Sequence, residues 1–290
     1  MDLKEKKEKA RNYYDQESDE YYKLYEEEQD LYPSDLIRLN FIVKRLKEMN
    51  VKTILDAGCG SCEPMVRLLN EGFKVKGFDF SPGMVEAGKK ILTEAGYSPD
   101  LVRQADLEDA NSPSDEQFDA VICLGVITHI PDQNKAIRNI NKMLKPEGVA
   151  LIQFRNDLFS VFTMNQYSQN FFLGIIPYKE MNTSLQNDAQ DFYSQRFKSH
   201  STGRHEKGNI SYSEILADFT NPLTIERDLF TPNGFVINKL HWYHFHALPP
   251  VFEQTHKDEF RKLSMAMENI DDWKGYLMAS AFVVEAKKCE

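Results

Sequence analysis

The sequence predicts an α/β fold with a seven-stranded, mostly parallel sheet and helices on both faces. From Val51 onward, short apolar runs alternate with segments whose apolar residues recur at helical spacing. This alternation is typical of parallel strands joined by crossover helices. Gly72, Gly96 and Gly148 follow predicted helices, a common place for glycine. The predicted strands are Thr53–Asp56, Phe73–Asp79, Leu101–Asp106, Phe118–Leu124, Val149–Phe154, Phe235–Phe245 and Tyr276–Ala286.

Helix signals lie before the sheet and between its strands. Ser34 is the predicted N-cap of a helix that follows Pro33 and ends near Asn50. Ser81 and Pro82 form an N-cap followed by a proline at the first helical position. The other predicted helices are Pro64–Asn70, Pro82–Ala95, Asp132–Leu144 and one around Val251–Met267.

Two segments depart from this rhythm and divide the chain. Residues 1–30 are charge-dense and rich in tyrosine, which indicates a helical segment that docks on another surface. Residues 156–210 are polar and aromatic with little periodicity, which predicts a long irregular insertion after the fifth strand. The predicted organisation is an N-terminal helical lid over 1–50, a main domain over 51–156 and 211–290, and a substrate-side insertion over 157–210.

Composition and charge exclude several classes of protein. Of the 290 residues, 41% are hydrophobic and 12% aromatic, which is enough for a sizeable core. The net charge of −10 makes duplex nucleic acid and anionic membranes unfavourable partners. The longest apolar runs are too short to cross a membrane, and no signal peptide is evident at the N-terminus. We therefore expect a soluble cytoplasmic protein with reduced cysteines.

A glycine turn marks the candidate ligand site. The first predicted strand runs through Asp56 into Gly58 and Gly60, where glycine lets the backbone approach a ligand closely. Asp79 ends the next strand, 19 residues after Gly60. A carboxylate at about 20 residues is typical of one that hydrogen-bonds ribose hydroxyls. Together these features predict an adenosine-type site at the carboxyl edge of the sheet.

Two nucleotide cofactors compete for this unit, and the chemistry of the loop separates them. An NAD site has a third glycine beneath the pyrophosphate, whereas Glu63 places a carboxylate three residues after Gly60. Asp56 instead suits the ammonium group of a ligand that bears an amino acid. Cys59 and Cys62 form a C-x-x-C pair. Because no second ligand pair accompanies it, we interpret the pair as part of the loop and not as a zinc or redox site.

Several motifs occur in the order and at the spacing of one enzyme family. They are LDAGCG at 55–60, GFDFSPGM at 77–84, QADLED at 104–109, FDAVICLGVITHIPD at 118–132 and LKPEGVALIQFRN at 144–156. In these motifs the chain resembles the class I S-adenosylmethionine (SAM)-dependent methyltransferases, strongly over about 51–156 and weakly over 212–286. The resemblance implies a Rossmann-like sheet with an antiparallel last strand, SAM as the cofactor, and methyl transfer. Cys62 departs from the pattern, because the family usually has a third glycine there.

The resemblance also implies which residues hold the cofactor. The Gly58–Gly60 backbone and Asp56 would hold the amino-acid end, and Leu124 would line the methionine side. Asp79 would bind the ribose. The N-terminal segment is predicted to fold over the cofactor. The full expected set is Asp56, Gly58, Gly60, Asp79, Phe80, Met84, Asp106, Leu107, Leu124 and Tyr14, with Asp106 and the Leu107 amide at the adenine.

Candidate catalytic and substrate residues follow the later strands. Methyl transfer needs alignment of the reactants and exclusion of water, and a hydroxyl acceptor also benefits from a general base. His129 follows the fourth strand and Arg155 closes the fifth; on the sixth, His244 and His246 share a face opposite Tyr243. Each of these residues also has a purely structural interpretation. The catalytic candidates are His129, Tyr243 and His244; the substrate-binding candidates are His129, Arg155, Tyr167, Arg204, His244 and His246; no metal is expected.

The insertion suggests a small acceptor of anionic or carbohydrate character. Arg196–Gly208 holds four basic residues against one acidic residue. A faint C-terminal resemblance to methyltransferases of bacterial surface-polysaccharide synthesis ranks sugars, sugar nucleotides and phosphorylated precursors first, with transfer to oxygen or nitrogen. The alternatives are a small-amine or natural-product N-methyltransferase, an NAD-dependent oxidoreductase and a non-catalytic SAM-binding protein. The sequence leaves a homodimer open and predicts no nucleic-acid partner.

Overall fold

The computed structural model describes residues 3–17, 32–109, 116–197, 218–253 and 255–289. Within these ranges, seven strands form a single sheet. The strands are β1 Thr53–Ala57, β2 Lys74–Asp79, β3 Val102–Gln104, β4 Phe118–Cys123, β5 Leu144–Arg155, β6 Phe235–Phe245 and β7 Ala279–Lys288. Their spatial order is β3-β2-β1-β4-β5-β7-β6.

Strand direction in the sheet confirms the predicted fold class. Strands β1 to β5 pair in parallel, and β7 is antiparallel to both of its neighbours, β5 and β6. The strand order reverses between β1 and β4. In open α/β sheets a ligand binds at such a switch point, outside the carboxyl ends of the strands. The topology therefore places the candidate site beyond β1 and β4.

Helices cover both faces of the sheet, as predicted. One buried core joins α2, α3 and α4 to the sheet, and a second joins α5 to the opposite face. Among the described residues, no helix has the length and apolar character needed to span a membrane. The helices are α1 Leu3–Glu17, α2 Ser34–Glu48, α3 Glu63–Asn70, α4 Pro82–Glu94, α5 Gln133–Met143, α6 Phe159–Thr163, α7 Gln166–Ile175, α8 Thr183–Arg196, α9 Lys257–Ala266 and α10 Gly275–Met278. Short turns occur at Pro99–Leu101, Ile127–His129, Tyr178–Glu180, Glu226–Phe230, Thr231–Asn233 and Pro250–Glu253.

The insertion after β5 differs from the irregular segment that we predicted. Its described part contains the helices α6, α7 and α8. The rings of Phe172, Tyr193 and Phe197 stack with centroids 5.6 to 6.2 Å apart and hold α7 against α8. No residue of α8 is buried. Because α8 lacks a buried apolar stripe, its sequence shows no helical periodicity.

Several predicted boundaries are wrong by a few residues. Strand β3 is shorter than the predicted Leu101–Asp106, and β5 begins at Leu144 and not at Val149, so Gly148 lies within a strand. Ser34 is the first residue of α2 and not its N-cap, which is Pro33. The helix predicted around 251–267 is interrupted, and α9 begins only at Lys257. The segment predicted to open the last strand is helical over Gly275–Met278, and β7 begins only at Ala279.

A buried ionic cluster fastens α2 to β6 and β7. Arg45 donates two hydrogen bonds to the Glu285 carboxylate, at 2.9 and 3.0 Å, and His241 Nε2 lies 2.9 Å from Glu285 Oε2. Burial alone would raise the pKa of Glu285, but the hydrogen bonds from His241 and Arg45 lower it to about 2. The cluster therefore positions α2 beside the sheet edge at which the candidate site lies.

Candidate active site

The glycine loop lies at the carboxyl edge of the sheet, between β1 and α3. Gly58 and Gly60 have φ values of +85° and +52°, which glycine adopts without steric cost. Gly58 also lies so close to Val126 that a Cβ atom would come within 2.3 Å of its Cγ2. Both backbone conformation and space therefore require glycine at position 58.

Asp79 links this loop to the end of β2. Its carboxylate accepts hydrogen bonds from the backbone amides of Gly60 and Ser81, each at 2.9 Å. The residue is 7% exposed, and this burial raises its pKa to about 6 although the backbone hydrogen bonds act to lower it. A buried carboxylate of this kind is a strong hydrogen-bond acceptor for a ligand that carries hydroxyl groups.

A cavity of about 730 Å³, its open mouth included, lies over this edge of the sheet. Of the expected cofactor residues, only Asp56 does not line the cavity, and it is 2% exposed. The predicted residues that line the cavity are Tyr14, Gly58, Gly60, Asp79, Phe80, Met84, Asp106, Leu107, Leu124 and His129.

Helix α1 closes one side of this cavity through two polar contacts. Lys7 Nζ lies 2.7 Å from Asp106 Oδ2 and also pairs with Glu108. Partial burial acts to lower the pKa of Lys7, but the two carboxylates raise it above its usual value. Tyr14 Oη hydrogen-bonds His129 Nε2 at 3.0 Å. The helix therefore contacts both the Asp106 end and the His129 end of the cavity.

A third contact fixes the C-terminal part of α1. The Asp15 carboxylate accepts hydrogen bonds from Ser81 Oγ and, at 3.2 Å, from the Gly83 amide. Ser81 is also the N-cap of α4, through a bond from the Met84 amide to its Oγ. Because Ser81 follows Asp79 by two residues, α1 is attached beside the carboxylate that lines the cavity.

Two buried ionisable residues, Asp56 and Arg38, lie on the α2 side of the sheet, and Arg38 forms an ion pair with Asp35 at 2.7 Å. Burial and the charge of Asp79 raise the pKa of Asp56 to about 7, whereas the charge of Arg38 acts to lower it. Arg38 is 6% exposed and donates a hydrogen bond to the Gln153 side chain. A Cβ atom on Gly125, which lines the cavity, would lie 4.0 Å from Gln153 Oε1. Asp56 and Arg38 therefore lie next to the cavity wall.

Sequence reasoning missed two residues of this site, Arg38 and Lys7. Arg38 belongs to the face of α2 whose other members, Phe41, Ile42 and Leu46, are buried. A basic residue within an apolar stripe is a usable signal, since a buried charge needs a partner. Lys7 gave no such signal, because it lies in a run of alternating lysines and glutamates.

The substrate candidates near the insertion form a separate cluster beyond the end of β5. The Arg155 guanidinium lies over the Phe219 ring, 5.9 Å from its centroid. The Tyr167 ring contacts the same phenyl group at 5.5 Å and is 42% exposed. Neither candidate lines the cavity. Arg204, like most of the basic stretch that we noted, lies outside the described residues.

The candidates on β6 also lie away from the cavity. Tyr243 is 2% exposed, and burial raises its pKa to about 12, so the catalytic role expected for it has no support from its position. His244 has a φ of +60° and stacks on Tyr32 at 4.8 Å, and the His246 ring lies 4.8 Å from that of His244. The left-handed conformation of His244 interrupts the regular alternation of side chains between the two faces of the strand. Tyr243 and Phe245, which would share a face in a regular strand, therefore pack in different cores.

The groups around the cavity suit a neutral or cationic nucleoside ligand. Two carboxylates, of Asp79 and Asp106, outnumber the one ammonium group, of Lys7; one imidazole, one phenol and the backbone of the glycine loop line the cavity with them, together with apolar side chains. In the part of the chain that the structure describes, no three His, Cys, Asp or Glu side chains are arranged to hold a metal ion.

Comparisons with known proteins agree with this arrangement. Residues 55–152 match the family model described as a methyltransferase domain. A ubiquinone biosynthesis O-methyltransferase of Rickettsia bellii is 29% identical over 145 residues, and one of Vibrio atlanticus is 26% identical over 141 residues. Each match covers 49% of this chain and 59% of the relative, so the chain spans about three fifths of the length of these relatives.

Solved structures show the same fold over nearly the whole chain. Magnesium protoporphyrin IX methyltransferase from Synechocystis PCC 6803, with bound SAH, superposes with a TM-score of 0.57 at 16% identity. That match covers 96% of this chain and 98% of the other. A SAM-dependent methyltransferase of Thermotoga maritima, described as a possible histamine N-methyltransferase, gives 0.53 at 16% identity, with 95% and 98% covered. At these identities the likeness concerns the fold alone.

Proposed function

We propose that the protein transfers a methyl group from SAM to oxygen or nitrogen of a small polar acceptor, because residues 55–152 match the model of a methyltransferase domain. The family match and the motifs both support this enzyme class, and the motifs point to SAM as the cofactor. The observation that carries the proposal is the buried Asp79 carboxylate, which faces a cavity lined by Gly58 and Gly60.

We expect the nucleoside part of SAM to lie in the cavity beside Asp79 and Asp106. Asp79 would accept hydrogen bonds from the ribose hydroxyls, as a buried carboxylate does well. Asp106 would accept one from the adenine amino group, and the Leu107 amide would contact the ring. Phe80 and Met84 supply apolar surface to the same cavity. We assign these residues to the nucleoside because each of them lines the cavity and because each group can make the contact proposed for it.

The amino-acid part would lie toward the buried pair of Asp56 and Arg38. A zwitterion needs an anionic and a cationic partner, and this pair supplies one of each beside the cavity wall. Gly58 allows the tail to run close to the backbone. The pair is buried in this structure, so binding requires the loop to expose at least one of its charges.

SAM carries an already activated methyl group, so the protein mainly aligns the reactants and excludes water. We propose that α1 acts as a lid over the cofactor, because Lys7 and Tyr14 contact residues on opposite sides of the cavity. His129 is the candidate general base for a hydroxyl acceptor. Its bond to Tyr14 would fix the orientation of the imidazole when the lid is closed.

For the acceptor, we propose a sugar, sugar nucleotide or phosphorylated precursor of surface polysaccharide. The cluster of Arg155, Tyr167 and Phe219 supports this choice, because a guanidinium suits an anionic group and aromatic rings suit a sugar face. A phenolic acceptor is the second candidate, since the curated relatives are named for ubiquinone biosynthesis. A small amine is the third.

Production of S-adenosylhomocysteine in the presence of each acceptor class tests the proposal. We expect product with sugar nucleotides and none with amines or phenols. His129→Gln should lower kcat by about 10²-fold, the usual contribution of a general base. His256→Gln is the matched control, because His256 is exposed and does not line the cavity.

Each outcome of this assay separates the alternatives. Product with phenols or amines alone would replace the sugar acceptor by that class. SAM binding without transfer to any acceptor would identify a non-catalytic SAM-binding protein. Binding of NAD in place of SAM would overturn the proposal as a whole.

A further inference from the structure

Two cysteines of the glycine loop, which the proposed chemistry does not use, lie in contact. Cys59 and Cys62 are 5% and 0% exposed, and their Sγ atoms are 3.7 Å apart. The Cys62 amide donates to the Cys59 carbonyl at 3.0 Å and closes a turn between them. The two side chains leave this turn on the same side. A disulfide requires the sulfurs to approach by only about 1.7 Å, given an S–S bond of about 2.05 Å.

The backbone and the neighbouring glycines accommodate these two sulfurs. Cys62 has a φ of +71°, a left-handed conformation that a residue with a Cβ atom adopts at a cost. A glycine would adopt it freely, so the thiol is present in spite of the backbone. A Cβ atom on Gly77 would lie 3.0 Å from Cys59 Sγ, and one on Gly88 would lie 2.5 Å from Cys62 Sγ. Glycines thus leave the space that both sulfurs occupy.

We propose that Cys59 and Cys62 form a reversible disulfide, and that this modification weakens cofactor binding. The second half of the proposal rests on the proposed function. The oxidant is a small-molecule disulfide such as oxidised glutathione.

The exchange proceeds in two balanced steps. One cysteine thiolate attacks the glutathione disulfide, and the displaced glutathione thiolate takes up a proton. The second cysteine thiolate then displaces the remaining glutathione from the mixed disulfide. In total, two cysteine thiols lose two electrons and two protons, and one glutathione disulfide becomes two glutathione thiols.

The disulfide would affect cofactor binding through Gly60, which lies between the two cysteines in the sequence. The Gly60 amide donates to Asp79, and both residues line the cavity. Drawing the sulfurs together tightens the turn and displaces this amide. Misplacement of a positioning group by about 1 Å is enough to cost a large factor in binding or rate.

The burial of the pair makes the reaction slow. The hydrogen bond from Cys62, together with burial, raises the pKa of Cys59 well above its usual value. Only the thiolate attacks a disulfide, so exchange requires the loop to open to solvent. A bound cofactor would cover the loop, and we expect it to slow the oxidation.

Equilibration in glutathione redox buffers tests the proposal. The protein carries Cys289→Ser, which removes the exposed thiol. After the remaining thiols are alkylated, intact mass measures the disulfide, and calorimetry measures the Kd for SAM. We expect an oxidised species that lacks two alkyl groups and a Kd at least tenfold weaker, with both changes reversed by dithiothreitol. In the same background, Cys59→Ser and Cys62→Ser should show no change in Kd on oxidation.

Intact mass and the Kd for SAM together distinguish a failure of the disulfide proposal from a failure of the proposed function. Absence of the oxidised species over the full range of buffers would overturn the disulfide. A disulfide with a Kd within twofold of that of the reduced protein would overturn its effect on binding. A reduced protein that does not bind SAM would contradict the proposed function, while intact mass would still decide whether the disulfide forms.

Discussion

Replacement of Asp79 by asparagine tests the proposed cofactor site most closely. The Asp79→Asn substitution keeps the shape of the side chain but removes the charge that would accept the ribose hydroxyls. Hydrogen bonds to a charged group contribute about 1.5–3 kcal/mol. Loss of that contribution corresponds to a Kd for SAM that is about 10- to 150-fold weaker at pH 8.

The pH dependence of the Kd for SAM provides a second quantitative test of Asp79. Because the pKa of Asp79 is about 6 in the unliganded protein, about one eleventh of it is ionised at pH 5. If only the ionised form binds, the wild-type Kd rises about tenfold between pH 8 and pH 5 through this group alone. In Asp79→Asn this component is absent, and only a component from Asp56 is left, whose pKa lies below its wild-type value because the charge of Asp79 no longer raises it.

Whereas SAM binding should strengthen as pH rises, the folding stability that Asp79 contributes to the unliganded protein should decrease. The pKa of Asp79 is raised from 3.8 to about 6 on folding, so the folded state loses stability from this group as pH rises through that interval. At pH 8 the asparagine variant avoids this loss but gives up one backbone hydrogen bond. We therefore expect its melting temperature to lie within a few degrees of the wild-type value.

Calorimetric titration with SAM from pH 5 to pH 8 measures these effects. Asp258→Asn is the matched control, because Asp258 is exposed on α9 and does not line the cavity. A Kd for Asp79→Asn within twofold of wild type at pH 8, with the same pH profile, would refute the assignment of Asp79 to the cofactor.

Three further predictions concern the lid and the ionic cluster. Tyr14→Phe removes the hydrogen bond to His129 and should lower kcat about three- to tenfold, as steady-state kinetics would show, with the Kd for SAM nearly unchanged; an unchanged kcat would contradict the positioning role. Lys7→Met removes a partly exposed ion pair worth about 1 kcal/mol and should speed SAM release about fivefold in stopped-flow displacement, whereas unchanged release would argue against the lid. Glu285→Gln should lower the free energy of unfolding at pH 7 by about 3 kcal/mol in urea titrations, because the pKa of Glu285 falls from 4.5 to about 2 on folding. That stability is present above pH 4.5 and is lost as pH falls toward 2, so a constant difference between variant and wild type down to pH 2 would contradict it.

The sheet was predictable because each strand carries its own signal. Short apolar runs between helical segments predicted all seven strands, and the ordered motifs predicted their topology. Gly58 and Asp79 were predictable for a similar reason, since a tight turn and a strand-end carboxylate are local features. The spacing between them then placed both at the same edge of the sheet.

The parts that were missed depend on contacts distant in sequence. Helix α8 packs on α7 through stacked rings and buries none of its own residues, so no amphipathic stripe marks it. Lys7 pairs with Asp106 across 99 residues, and no local pattern selects it from its neighbouring lysines. The left-handed conformation of His244 shifts the alternation of β6. A sequence pattern of period two could not show that shift, which places Tyr243 and Phe245 in different cores.

A crystal structure of the protein grown with S-adenosylhomocysteine tests the central claim most directly. We expect density for the nucleoside in the cavity beneath α1, with both ribose hydroxyls within hydrogen-bonding distance of the Asp79 carboxylate. A nucleoside bound elsewhere, or an Asp79 side chain turned away from the ribose, would contradict that claim.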